Sequence, residues 1–340
     1  MSRPASVTPS SPPVARRSPA RRSSALRPRS APGRPGSAPG RPRPRSGRTS
    51  YALFLIPSTL LFAGVIGLPL LMNIGISLTD WQGVGSPTWK GLGNYQKLLS
   101  DEMFWSSFEH NVVLLIAMAV IPTVIGLILA YALFDLIAKR FGSRTAAVIR
   151  ACIYLPQILP IAVVGIVWSW ILSPENGALN RFFTDVGLKS LGQDWLGDPD
   201  IALYSVGGVM IWFQLGYPVV IFMSGLQRAD PSLSEAAEMD GAGWLAKFWH
   251  VTIPQIKPEI YVVLLTSSIA ALKVFAPIYV LTRGGPGGAT NVPSYFSFQN
   301  FFEKTQVGYG AAIATVLTLI ILVLTAVFLW VQSRGESEGR

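Results

Sequence analysis

Several single polar residues lie inside long apolar blocks of this sequence, and these are the side chains that could bind a polar solute there. Lys273 is the only charged residue well inside such a block, and a charge buried in hydrocarbon is costly enough to indicate a function. A Lys side chain can also extend to the membrane surface, so both interpretations of Lys273 stay open. Four further side chains could hydrogen-bond hydroxyl groups of a solute, although bonds between helices explain most such residues. They are Gln157, Gln214, Tyr217 and Tyr279.

No residue pattern in this sequence is typical of a catalytic site. The sequence lacks the G-x-x-x-x-G-K-[ST] loop that binds nucleotide phosphates, and the glycine-rich stretch at 284–288 lacks its lysine. The two histidines, His110 and His250, lie in separate parts of the chain, and the single cysteine, Cys152, can form no internal disulfide. We therefore expect no catalytic residue, no metal site and no cofactor bound by this chain.

One polar segment, residues 231–254, has a clear helical pattern. Ser232 and Glu235 have the S-x-x-E spacing of a capping box, which predicts that a helix begins there. The pair at 240–241, Asp-Gly, predicts its end, because glycine readily adopts the left-handed conformation that follows a helix. A second short helix is predicted at about 242–250, before the proline at the end of the segment. The sequence thus predicts a rigid helix-turn-helix.

Six long apolar blocks are the elements that would position these residues. Apolar residues make up 50% of the chain and charged residues 14%, against roughly 25% charged residues in a soluble domain. Each block is long enough to cross about 30 Å of hydrocarbon as a helix, which satisfies its own backbone groups. The sequence therefore predicts an all-α polytopic membrane protein. Its six transmembrane helices would lie at about 51–78, 111–134, 147–172, 201–225, 259–282 and 310–332.

The distribution of Lys and Arg predicts that both termini lie in the cytoplasm of a multi-pass plasma-membrane protein. Residues 1–50 contain twelve Arg and no acidic residue, and the loop after the second block is also basic. The predicted outside loops, 79–110 and 174–200, contain more acidic than basic residues. By this rule, the segment at 226–258 lies on the cytoplasmic side.

The basic charge of the chain belongs to its N-terminal tail. Residues 1–50 are mostly Arg, Pro, Ser, Ala and Gly, and they are predicted to be disordered because they have little to bury. The rest of the chain is nearly neutral, with 16 basic and 18 acidic residues. Anionic membrane lipid is thus an expected partner of the tail, and nucleic acid is not. Residues 51–333 would form the six-span domain and 334–340 a second cytoplasmic tail.

The segment at 231–254 resembles the "EAA" loop of binding-protein-dependent ABC importer permeases, of type I and the carbohydrate branch (the maltose or glycerol-phosphate kind). The matching residues are Glu235, Ala236, Ala237, Asp240, Gly241, Ala242, Phe248, Ile253 and Pro254. Shorter matches follow the same order along the chain, at 91–95, 272–275, 284–286 and 308–312. Many relatives carry Asp where this chain has Ala276.

The resemblance implies the other components of such an importer. The segment would be a coupling helix that docks into a cytoplasmic ATP-binding subunit, so ATP would be used by that partner and not by this chain. A second permease subunit would complete a heterodimer, and an extracytoplasmic solute-binding protein would deliver a sugar or oligosaccharide. An ion-coupled secondary transporter of small polar solutes is the alternative, although such proteins usually carry several ionisable residues in mid-membrane.

Overall fold

The computed structural model describes the backbone of residues 47–338 and the side chains of residues 55–334. The chain divides into two units, Met1–Pro57 and Ser58–Arg340. Of the first unit only residues 47–57 are described, and they are helical. The disorder predicted for the N-terminal tail therefore falls on residues outside the described ones, except for the helical residues 47–50.

Helices account for most of the described chain. In chain order the α-helices are α1 (Gly47–Phe62), α2 (Leu68–Ser77), α3 (Gly93–Leu99), α4 (Glu102–Leu115), α5 (Ile121–Tyr131), α6 (Ala138–Phe141), α7 (Ser143–Tyr154), α8 (Ile161–Ile171), α9 (Ala178–Asp185), α10 (Ala202–Gln214), α11 (Gly216–Leu226), α12 (Pro231–Met239), α13 (Trp244–Lys247), α14 (Ile253–Gln255), α15 (Lys257–Leu272), α16 (Ala276–Leu281), α17 (Pro293–Phe298) and α18 (Val307–Glu338). Wider π-helical turns occupy Ala63–Gly67, Ile116–Val120, Ala132–Ile137, Phe248–Thr252 and Gln299–Glu303, and tighter 3-10 turns occupy Leu155–Ile158 and Lys189–Leu191.

A short antiparallel ribbon lies in the first predicted outside loop. Strand β1 (Thr79–Asp80) pairs with β2 (Thr88–Trp89), with Thr79 opposite Trp89 and Asp80 opposite Thr88.

Four helices among the described residues are long and apolar enough to cross a membrane: Leu55–Ser77, Glu102–Phe141, Ala202–Leu226 and Val307–Arg334. They coincide with the first, second, fourth and sixth predicted spans. A bent pair, Ser143–Ile158 and Ile161–Ile171, would make a fifth at the third predicted span, with an angle of 96° between its parts. Pro156 and Pro160 explain this bend, because proline donates no backbone hydrogen bond and disfavours helix at the preceding residue.

The fifth predicted span, 259–282, is not one continuous helix. Helix α15 ends at Leu272 and α16 begins at Ala276, which leaves Lys273–Phe275 as a break segment. Pro277 in the first turn of α16 has no N–H to donate to the carbonyl of Lys273, so an uninterrupted helix would lack that bond. Lys273 is therefore the C-cap of α15 and its side chain is exposed.

Three clusters of buried apolar residues include residues of the long helix, Glu102–Phe141, and two of them connect it to the broken fifth span and the polar loop. The first contains Leu114 of the long helix with Val206 of α10 and Ile278 of α16. The second contains Tyr131 of the long helix with residues of α11 and of the segment that follows α12, including Phe248. The long helix therefore contacts both the broken fifth span and the polar loop at 226–258.

Candidate functional site

The loop at 226–258 is closed at its base by two polar contacts. Nη2 of Arg228 lies 2.6 Å from Oε1 of Glu259, which connects the start of the loop to the first turn of α15. The backbone N–H of Asp230 donates to Oε1 of Gln255 over 2.8 Å. Helices α12, α13 and α14 lie between these contacts and belong to one closed loop.

Helix α12 begins two positions earlier than the predicted capping box implies. Its N-cap is Asp230, whose Oδ1 accepts the backbone N–H of Ser232 at 2.9 Å, and Pro231 is the first helical residue. The prediction that Ser232 and Glu235 start the helix is therefore wrong. Proline is favoured at the first helical position, where a missing N–H costs nothing, and this preference could have identified Asp230. The bond from the Ser232 backbone holds the pKa of Asp230 below its usual value.

Helix α12 ends at the predicted Asp-Gly pair. Gly241 is left-handed, with φ of +79°. The N–H of Gly241 donates to the carbonyl of Glu238 at 3.0 Å, and the N–H of Ala242 donates to that of Ala237 at 2.9 Å. These two bonds form a Schellman motif. A Cβ on residue 241 would meet no atom within 4 Å, so the backbone conformation alone calls for glycine.

The second half of the loop stays helical through Pro254, whereas the sequence predicted that it ends earlier. The π-turn Phe248–Thr252 runs directly into α14, and the N–H of Ile253 donates to the carbonyl of Phe248 across it. The wider turn accommodates Pro254, which has no N–H to donate. Phe248 is buried and stacks on Trp244, with ring centroids 5.9 Å apart. It also lies 5.1 Å from the ring of Tyr131 in the long helix. Phe248 thus packs the loop against the long helix.

Four charged side chains meet between the loop and the long helix: Asp135, Lys139, Glu238 and Lys247, here called the charge cluster. Nζ of Lys247 lies 2.6 Å from Oε1 of Glu238 and 3.9 Å from Oδ2 of Asp135. Lys139 also pairs with Asp135, and its Nζ lies 3.9 Å from Oε1 of Glu238. The hydrogen bond between them raises the pKa of Lys247 and lowers the pKa of Glu238, so both groups are charged at neutral pH.

Local sequence patterns do not predict the charge cluster. Asp135 and Lys139 have the i,i+4 spacing that predicts a pair on one helix. Lys247 and Asp135 are far apart in the chain, and no local spacing relates them. Only the packing of the loop on the long helix brings them together.

Most residues that the resemblance assigns to coupling are exposed. Glu235, Ala236, Asp240, Gly241 and Pro254 are exposed, Ala237 and Ala242 are half-buried, and Phe248 is buried. Large apolar side chains of the same loop are exposed as well, including Leu233 at 51%, Met239 at 88% and Leu245 at 61%. Exposed apolar side chains grouped on one segment are typical of a surface that contacts another protein.

Side chains from other helices hold the break segment. The hydroxyl of Ser294 in α17 donates to the carbonyl of Val274, and Nδ2 of Asn111 in α4 donates to the carbonyl of Ala271 at 3.2 Å. The Val274 carbonyl needs such a partner because an unpaired backbone group in lipid costs several kcal/mol, whereas the Ala271 carbonyl also accepts the backbone N–H of Val274 at 3.1 Å. No acidic residue in the described part of the chain forms an ion pair with Lys273.

Other predicted polar residues bond to one another across helices. Gln157 lies in the 3-10 turn at the bend of the third span, and its Nε2 donates to Oε1 of Gln214 at 3.0 Å. Gln214 is the last residue of α10, at the break before α11. The hydroxyls of Tyr217 and Thr266 lie 3.0 Å apart. The structure therefore brings Gln157 and Gln214 together where two spans are interrupted.

Tyr279 belongs to an aromatic cluster beside the break segment. Its ring centroid lies 5.5 Å from Phe275, 5.6 Å from Phe298 and 6.3 Å from Tyr295. Tyr279 is 39% exposed, so its ring can contact a molecule outside the packed helices. Within the described residues, no group of three or more His, Cys, Asp or Glu side chains could hold a metal ion.

Known proteins resemble this chain over most of its length. Residues 123–335, which include the loop, the charge cluster and the break segment, match the family described as "Binding-protein-dependent transport system inner membrane component". The chain is 34% identical over 287 residues to the "Probable ABC transporter permease protein YurN" of Bacillus subtilis, covering 84% of this chain and 97% of the relative. It is 31% identical to the "Trehalose/maltose transport system permease protein MalF" of Thermococcus litoralis, covering 84% and 94%.

A solved structure has the same fold. It is described as a bacterial ABC transporter "involved in the import of the acidic polysaccharide alginate". The TM-score is 0.71 at 21% identity, and the match covers 84% of this chain and 95% of that chain.

Proposed function

The chain belongs to the family of binding-protein-dependent transport system inner membrane components, and we propose that α12 docks this membrane permease on a separate cytoplasmic ATPase subunit. The observation that carries the proposal is the construction of α12. It is capped at both ends, exposes Glu235, Ala236 and Met239, and is followed by an exposed Asp240 and a left-handed Gly241. A short helix with rigid ends and an exposed apolar surface can transmit a displacement from a bound partner.

The complete importer would contain three further kinds of subunit. A second permease subunit would form a heterodimer with this chain, a pair of ATP-binding subunits would hydrolyse ATP, and an extracytoplasmic solute-binding protein would deliver the solute. Both termini would lie in the cytoplasm, as the basic residues indicate. ATP binding would move the ATPase subunits together, carry α12 with them, and switch the spans from an inward-facing to an outward-facing state.

We propose a sugar or oligosaccharide as the solute. The named relatives support this, since one is a trehalose/maltose permease and the solved structure imports alginate. Candidate path residues are Gln157, Gln214, Tyr217 and Tyr279, with Lys273 at the break segment. Their amide, hydroxyl and ammonium groups are suited to hydrogen bonds with sugar hydroxyls, and the ring of Tyr279 offers an apolar face.

Cysteine crosslinking tests the docking and the orientation together. The native cysteine would first be removed by Cys152→Ser. Met239→Cys places a thiol at the last residue of α12, and Val84→Cys places one in the first predicted outside loop, where Val84 is also 88% exposed. We expect Met239→Cys to crosslink to the ATPase subunit in membranes and to resist a membrane-impermeant thiol reagent in intact cells.

The matched control should behave in the opposite way. Val84→Cys should react with the impermeant reagent and should not crosslink to the ATPase. Labelling of Met239→Cys from outside the cell, or its failure to contact any ATPase in an active complex, would refute the proposed docking.

A further inference from the structure

The charge cluster occupies the boundary between the loop and the long helix. Lys247 is the central member, because it contacts Glu238 of α12 at 2.6 Å and Asp135 of the long helix at 3.9 Å. Its side chain is only 8% exposed, and that of Asp135 is 11% exposed. A buried Lys with carboxylates on two separate elements is well placed to hold those elements together.

We propose that Lys247 is a positioning residue that makes α12 and the long helix move as one body. The inference rests on the proposed function, since it concerns how motion of α12 reaches the membrane spans. Motion of α12 would reach the membrane directly through Asp135, because Asp135 belongs to a single long helix of 40 residues. At 1.5 Å per residue it extends about 60 Å, more than enough to cross the membrane.

Aromatic packing shields this link from water. Tyr131, one turn before Asp135, lies 4.9 Å from the ring of Trp244 and 5.1 Å from that of Phe248. These rings cover the apolar side of the contact, while Asp135 and Lys247 supply its polar side. Ion pairs strengthen as water is excluded, and a charge stranded there would be strongly unfavourable. The loop is therefore held on the long helix in one position and does not slide along it.

Lys139 provides a matched comparison within the same cluster. It contacts the same two carboxylates, Asp135 and Glu238, but its side chain is 61% exposed. An exposed pair is screened by water and contributes little. If burial at this boundary determines the effect, loss of the Lys247 contacts should reduce the coupling of transport to ATP hydrolysis strongly. Loss of the Lys139 contacts should reduce it little, although both lysines have the same partners.

The experiment uses the complete importer reconstituted in lipid, with its second permease, ATPase subunits and binding protein. The measured quantity is the number of solute molecules transported per ATP hydrolysed. We expect the double variant Asp135→Asn/Lys247→Met to lower this ratio about tenfold while ATP hydrolysis continues. The double change leaves no stranded buried charge, so the subunit should still fold and assemble, which co-purification checks.

Two single variants complete the test. Lys139→Met should change the ratio less than about threefold. Lys247→Arg keeps the charge and should retain most of the coupling, which would not be expected if the double variant merely disturbed packing. An assembled double variant with the wild-type ratio would overturn the inference, as would equal losses in Lys139→Met and the double variant.

The Met239→Cys crosslink separates this inference from the proposed function. If the crosslink to the ATPase forms and the double variant still couples normally, only the role of Lys247 is refuted. If the crosslink never forms, the docking of α12 itself is refuted.

Discussion

At two helix interruptions in this protein, the backbone carbonyls that lose their helical partners are hydrogen-bonded in different ways. After α12, the carbonyls of Ala237 and Glu238 accept backbone N–H groups from the residues that immediately follow. At the break segment, the carbonyl of Val274 accepts the hydroxyl of Ser294, which comes from another helix. The first interruption is closed by its own backbone. The second has local backbone bonds from the N–H groups of Lys273 and Val274, but its Val274 carbonyl depends on the packing of the bundle.

This difference fits the roles proposed for the two regions. A turn closed by local backbone bonds keeps its shape when its surroundings move, so α12 can be displaced as a rigid piece. A break held by side chains of α4 and α17 keeps its shape only while those helices stay in place. Rearrangement of the bundle would change the break segment and leave the turn after α12 intact.

The largest expected effect comes from the turn. Gly241→Val forces a β-branched residue into a left-handed conformation, which should cost about 2–3 kcal/mol and distort α12. We expect loss of transport and of ATPase association, measured by uptake into proteoliposomes and by co-purification, with the membrane-spanning helices still inserted.

Gly243→Val is the control for this change. Gly243 has φ of −69°, and a Cβ there also meets no atom within 4 Å. This variant should transport nearly normally. Equal loss in both variants would show that the left-handed conformation is not what the turn requires.

The next effect concerns the break segment. Ser294→Ala removes the hydroxyl that bonds the Val274 carbonyl, and an unsatisfied buried acceptor should reduce the stability of the subunit by about 1–2 kcal/mol. The thermal unfolding temperature of the purified complex is the measurement. Ser333→Ala, which removes an exposed hydroxyl bonded within its own helix, should leave that temperature unchanged. Equal unfolding temperatures for the two variants would contradict the role given to Ser294.

A smaller effect is expected at the two glutamines. A double-mutant cycle with Gln157→Leu and Gln214→Leu should give a coupling free energy of about 0.6 kcal/mol, which is typical of hydrogen bonds between membrane helices. Denaturant unfolding in detergent would measure it. If solute protects the wild type and not the variants from thermal unfolding, these residues also line the path; equal protection would argue against that role.

The smallest effect distinguishes the two possible caps of α12. Asp230→Ala removes the N-cap and should lower the unfolding temperature by about 2 °C or less. Ser232→Ala should have no effect, because the Ser232 hydroxyl does not cap the helix. If Ser232→Ala lowered the unfolding temperature more than Asp230→Ala, the result would support the capping box that the sequence predicts.

Much of this architecture could be predicted from local patterns. Hydrophobic length predicted the long apolar helices at the first, second, fourth and sixth positions, because a helix in lipid must satisfy its own backbone over about 20 apolar residues. The Asp240–Gly241 stop was found because a Schellman turn uses only neighbouring residues. Matching residues such as Glu235 and Ala236 identified the family for the same reason, since they form one short segment.

The tertiary structure decided the contacts between distant residues. The pairing of Lys247 with Asp135, the bond from Ser294 to the break segment and the meeting of Gln157 with Gln214 all join parts of the chain that no spacing relates. The sequence determined most of the helical segments and the stop after α12, because those hydrogen bonds are local. Which polar groups satisfy one another across helices depends on how the helices pack, and that follows only from the whole fold.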